Sequence, residues 1–120
     1  MRFAGFRIDM PAVFAALDAL VHPARYEAYG LSVHEAVCRG VPALVSASAG
    51  VAEHYGAALD DLLIRDPNDA GELSARLRQW RCGVDDWRLR IAPLSETLRL
   101  RSWDAMAADI AGLADGSADA

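Results

Sequence analysis

Glu27 and Glu35 stand eight residues apart with Gly30 between them, inside the run His22-Pro23-Ala24-Arg25-Tyr26-Glu27-Ala28-Tyr29-Gly30-Leu31-Ser32-Val33-His34-Glu35-Ala36. An ionised carboxylate is purely an acceptor and can take bonds from two neighbouring hydroxyls. A helix predicted to open after Gly30 presents free backbone N–H groups, and such a helix start favours an anion, typically a phosphate. Gly30 has no side chain, so the backbone there can approach a ligand closely. Glu35 falls about one turn inside that helix and Glu27 just outside it. Carboxylates repel phosphate, so hydroxyl groups are their natural match. The pattern suits a ligand with phosphate in the middle and hydroxyl-bearing rings on either side. A nucleotide sugar has that make-up.

The elements that must position these residues are readable in outline. Arg2–Ala4 before Gly5 predicts a short strand. Asp9 and Pro11 open a helix carrying Val13, Phe14 and Leu17 on one face. Ala19-Leu20-Val21, closed by His22-Pro23, predicts a buried strand. Leu31–Arg39 predicts a helix that ends at Gly40, with Pro42 beyond. Ala43-Leu44-Val45 and Leu62-Leu63-Ile64 predict two further strands, with a short helix over Val51–Tyr55 between them. Asp66-Pro67 is predicted to cap a helix carrying Leu73, Leu77 and Trp80. Helices are predicted over Val84–Arg101, kinked or split at Pro93, and over Ser102–Leu113. Strand–helix alternation implies a parallel sheet, here of about four strands, covered on both faces because the strands are solidly apolar. Ligands of such α/β sheets bind beyond the carboxyl ends of the strands. His22–Gly30 follows one of those ends.

The chain has 120 residues, room for one domain with a real core. Apolar residues make up 53% of it, which argues against disorder. The formal charge of −5 disfavours a nucleic-acid backbone as partner. All 12 basic residues are arginine, so chemistry that needs a lysine is excluded. No apolar run is long enough to predict a transmembrane segment. The start, Met1-Arg2-Phe3 with Asp9 soon after, lacks a secretory pattern and leads to an expected cytoplasmic location. Two cysteines and three scattered histidines give no metal-ligand spacing.

Several ordered landmarks together resemble the retaining glycosyltransferases of the GT-B fold, in their group 1 or family-four class. Glu27-Ala28-Tyr29-Gly30-Leu31 through Glu35-Ala36, then Gly40-Val41-Pro42, resembles that class's E-x7-E segment. Gly50-Val51-Ala52-Glu53 resembles its Gly-x-x-Glu turn. Leu62-Leu63-Ile64, Asp66-Pro67 and Leu73 resemble a later stretch, and Ser102-Trp103 its C-terminal Ser-Trp.

The resemblance implies a fold, a partial Rossmann-like domain over residues 1–114; the small and polar residues 115–120 read as a frayed tail. It also implies roles. Glu27 would bind donor-sugar hydroxyls and support charge at the anomeric carbon, as the catalytic residue. Ala28, Tyr29, Gly30 and Leu31 would hold the sugar and diphosphate. Glu35 would bind the ribose, and Phe6 and Arg7 would lie near the base. The donor would be a nucleotide-diphosphate sugar carrying a hexose, transferred with retention and without a metal or other cofactor. The acceptor, a saccharide or a lipid-linked one, would sit in an N-terminal domain outside this chain. Peripheral membrane association belongs to such a full enzyme. Catalysis needs both reactants held in register, so the isolated chain is expected to lack turnover.

Ala24 stands where the class often has serine, Ala28 where it has glycine, and Ala49-Gly50 where it has a glycine pair. Asp60-Asp61 stands where a glycine is expected before Leu62. Two other readings accompany this one: a nucleotide-sugar-binding module without transfer activity, and a structural α/β remnant. On those, Glu35 is a solvated helix residue and Glu27 a loop carboxylate near a positive helix end. Arg25 reads as an exposed loop residue, and His22 as either a donor contact or a structural imidazole. Glu53 reads as a local cap, and Cys38 as a small buried hydrophobe. Trp80, Trp87 and Trp103 read as core or interdomain packing.

Overall fold

The computed structural model describes residues 2–114 and 116. Three parallel strands form one sheet in the order β1-β2-β3. They are β1 (Leu20–His22), β2 (Ala43–Ser46) and β3 (Leu63–Ile64). In register, His22 lies beside Val45, and Ser46 beside Ile64. Helix α1 (Met10–Ala15) precedes β1, and helix α2 (Leu31–Cys38) joins β1 to β2. Two short 3-10 helices, Gly50–His54 and Ala57–Leu62, lead into β3. Helices α3 (Ala70–Arg81), α4 (Val84–Arg99) and α5 (Trp103–Ala114) complete the chain.

β2 is the centre of the sheet, and all four of its residues are buried. That is why its sequence is apolar without alternation: both faces are covered. Val33 and Val37 of α2 pack on it from one element, and Trp87, Ile91, Leu94 and Leu98 of α4 join the same core. A smaller cluster of Phe14, Ala36 and Val41 seats α1. Burying such side chains contributes ~2 kcal/mol each. The alternating helices and parallel strands agree with the partial Rossmann-like α/β fold expected from the sequence.

Four local expectations change. Arg2–Ala4 forms no strand, so the sheet has three strands rather than about four. Phe3 is exposed there and the segment has no strand to pair with, which a strand needs for its backbone groups. The α3 helix is capped not by Asp66 but by Asp69, whose Oδ1 accepts from the N–H groups of Gly71 and Glu72. Asp66 instead accepts from Asn68 N–H in a turn before it. α4 runs unbroken through Pro93. Pro93 has no N–H to donate to the Leu89 carbonyl one turn before it, and Leu89 lies on the exposed side of the helix. Trp103 is not packed but 82% exposed, at the start of a helix with no buried residue. Trp87 is buried, and Trp80 packs half-buried against the core. The expected frayed tail over 115–120 lies outside the described residues except Gly116.

The Glu72 carboxylate ties α3 to the end of β3. It accepts from the backbone N–H groups of Arg65 and Asp66, both at 2.8 Å, and these hold it below its ordinary range. A carboxyl with a lowered folded value stabilises above the unfolded value, and that stability is lost as pH falls through the folded one. Glu72→Gln should therefore lower the thermal midpoint at neutral pH, with the gap to the parent closing as the pH falls below the ordinary 4.5. Leu44→Ala, in the fully buried centre of β2, should cost ~3 kcal/mol in a urea titration with the slope unchanged.

Candidate functional site

The site is built where β1 ends. His22 closes the strand, Pro23 turns the chain out of it, and residues 23–29 form a loop that enters α2 at Gly30. Gly30 has φ +102°, in the left-handed region that side chains rarely adopt. A Cβ there would also lie 3.0 Å from Val51 Cγ1. Glycine at this position is therefore a double requirement. No side chain caps α2. The first-turn N–H groups of Leu31, Ser32 and Val33 have no carbonyl before them in the helix; Val33 is buried, and Leu31 and Ser32 are exposed, which leaves their N–H groups as the donors for an anion.

The loop is shaped from the side of β2. Ser46 Oγ, at the strand end, donates to Ala24 O at 2.7 Å. Val51 N–H donates to Tyr29 O at 2.8 Å. Between these ties, Gly50 comes so close that a Cβ on it would meet Ala28 O at 2.5 Å. The Gly50-Val51 turn and the Glu27–Gly30 loop, two landmarks separated in sequence, are thus one packed unit. Ala28, in place of the glycine common in the resembling class, meets this turn through its backbone and keeps its small side chain outward, exposed.

Glu27 is half-buried and its Oε1 accepts from Tyr29 N–H at 3.2 Å. Its Oε2 lies 3.7 Å from His22 Nε2. Glu35 lies one turn after Leu31 on the same face of α2, and both are exposed. The structure thus gathers Glu27, Ala28, Tyr29, Gly30 and Leu31 at the helix start, with Glu35 one turn on. It does not gather Phe6 and Arg7 with them. Phe6 is 93% exposed in an extended segment, and Arg7 bonds Asp9 with its guanidinium.

Tyr29 also carries a feature that sequence spacing did not bring forward. Its hydroxyl is 2.8 Å from His34 Nδ1, and its ring meets His54 edge-on with centroids 6.3 Å apart. Burial raises the Tyr29 phenol and lowers the His34 imidazole, the latter helped by His54. His34 is therefore biased towards the neutral form. These rings and Leu31 line a cavity of about 760 Å³ together with Glu53, Arg101, Trp103 and Met106. The available signal was position: His34 lies four residues after Gly30, which stacks it over the helix entrance. Arg101 and Glu53 are distant in sequence, and no local pattern marks them. Among the described residues no group of three or more acidic, histidine or cysteine side chains is placed to hold a metal. No helix among them is long and apolar enough to cross a membrane.

Comparison with known proteins covers this same region. The family of glycosyl transferases group 1 matches residues 1–81, which carry every element from α1 to α3. The O-antigen chain mannosyltransferase B of Escherichia coli is 38% identical over 80 residues, 67% of this chain and 20% of its own length. The lipopolysaccharide glucosyltransferase WaaG of Escherichia coli (strain K12) is 34% identical over 79 residues, 66% of this chain and 21% of its own. The chain thus spans about a fifth of the length of the curated relatives it matches. No solved structure matches it. Ser102-Trp103 falls beyond the matched residues, whereas the Glu27–Glu35 segment and the Gly50 turn fall within them. With two thirds of its length in that match, the chain belongs to the glycosyl transferases of group 1.

Proposed function

We propose that this chain is the donor-binding part of a retaining glycosyltransferase that takes a hexose from a nucleotide-diphosphate sugar. The observation that carries the proposal is the uncapped start of α2 behind left-handed Gly30, with a carboxylate on each side. The diphosphate sits over the N–H groups of Leu31 and Ser32, where the helix dipole and free donors oppose its charge. Those donors stabilise the diphosphate most as it leaves, when its negative charge grows. Glu35, exposed on the Leu31 face, accepts from the ribose hydroxyls. Glu27 accepts from hydroxyls of the sugar, and its charge supports the positive charge developing at the anomeric carbon. Ala28 and Tyr29 bound the sugar through their backbone.

The base lies towards the N-terminal segment, with Phe6 and Arg7 brought in when the rest of the sheet is present. The names of the two relatives, a mannosyltransferase and a glucosyltransferase, support a hexose donor. Their O-antigen and lipopolysaccharide labels support a saccharide or lipid-linked acceptor, bound by a domain outside this chain and served from the cytoplasm at a membrane surface. No metal takes part: the helix start neutralises the diphosphate in its place. With one wall of the cleft only, the isolated chain binds donor weakly and does not turn over.

Amide spectra of the chain titrated with UDP, GDP and ADP test this at weak affinity. Shifts are expected at Leu31 and Ser32 with at least one nucleotide, and no shift with any of them would sink the reading. Glu35→Ala should weaken that binding about tenfold, the worth of one hydrogen bond to a charged group. Glu27→Ala should leave nucleoside diphosphate binding intact. In the full-length protein it should lower kcat by roughly 10²–10³, the usual cost of losing one group aimed at transition-state charge.

A further inference from the structure

We propose that His22 is a positioning residue for the Glu27 carboxylate, holding one of its oxygens while the Tyr29 N–H holds the other. The inference rests on the reading of Glu27 as the donor-sugar ligand. His22 is the last residue of β1, in register with buried Val45, so its backbone is set by the sheet rather than by the loop. Its side chain is 24% exposed and that of Glu27 31%. Nε2 faces Glu27 Oε2 at 3.7 Å, while Nδ1 is buried with no hydrogen-bond partner.

Those two facts choose the tautomer. A neutral imidazole carries one N–H and one lone pair. With the proton on Nδ1, an N–H would be buried without an acceptor, and a lone pair would face the carboxylate. With the proton on Nε2, the N–H faces the carboxylate and only a lone pair is left over. An orphaned buried N–H is the rarer of these outcomes in folded proteins, and the attraction to Glu27 favours the same choice. His22 therefore presents an N–H to Oε2, and Tyr29 presents one to Oε1 at 3.2 Å. The hydrogen bond to Oε1 fixes the position of the carboxylate, and the attraction of the His22 N–H for Oε2, across a 3.7 Å gap longer than a hydrogen bond, biases its plane. A group that must meet particular sugar hydroxyls needs both.

Nitrogen spectra of the imidazoles and donor binding by variants decide the matter. In the parent chain His22 should be the Nε2–H tautomer, and its ring nitrogens should shift in Glu27→Gln. An Nδ1–H tautomer, or a ring indifferent to Glu27→Gln, would overturn the proposal. His22→Met fills similar space without a donor and should lose about tenfold of the extra affinity for a nucleotide sugar over its nucleoside diphosphate. His22→Gln, whose amide nitrogen can reach the same place, should restore it, which a role in packing alone would not produce. Equal affinities in the parent and His22→Met would also overturn it. A parent that binds no nucleotide, yet whose His22 ring responds to Glu27→Gln, would remove the donor reading and leave the coupling standing.

Discussion

The approach of Gly50 to the carbonyl of Ala28 governs this site. A single Cβ there would sit 2.5 Å from that oxygen, far inside contact distance, so the turn after β2 and the loop after β1 can meet only through bare backbone. Once they meet, Val51 N–H reaches Tyr29 O, and Val51 fills the space beside Gly30. Gly30 must then take a left-handed conformation to send the chain into α2. The entry into α2 and the seat of the Glu27 loop are thus packed against that one close pair.

The chemistry sits at the carboxyl ends of buried strands, as parallel sheets dictate. β2 has no exposed residue with which to bind anything. Its contribution is indirect: Ser46 at its end holds Ala24, and His22 beside Val45 stands at the loop's other root. Burial therefore provides rigidity where the sheet is, and exposure provides chemistry where the sheet stops. Glu35 shows the division on a single helix, exposed between buried Val33 and Ala36–Val37.

Much of this was legible in the sequence because it depends on local patterns. Gly30, the apolar run of β2 and the Gly40–Pro42 stop placed α2 and its neighbours to within a residue. What was not legible depends on partners. A strand at Arg2–Ala4 needs a neighbour to pair with, and no local residue type reveals whether one is there. Asp66 and Asp69 are equally good caps by type; the turn that Asp66 closes onto Asn68 decides between them. Pro93 reads as a kink or a split, yet α4 continues through it, held by Trp87, Ile91, Leu94 and Leu98 in the core on both sides of it. The pairing of Tyr29 with His34, and the arrival of Arg101 at the same cavity, arise from tertiary packing.

The tie between Ser46 and Ala24 spans only 22 residues, and α2 lies wholly within that interval. A β–α–β unit closed by such short spans has little chain entropy to overcome before its contacts form. The contacts that shape the Glu27 loop thus close over a short span, at a loop-closure cost below that of pairings more distant in sequence.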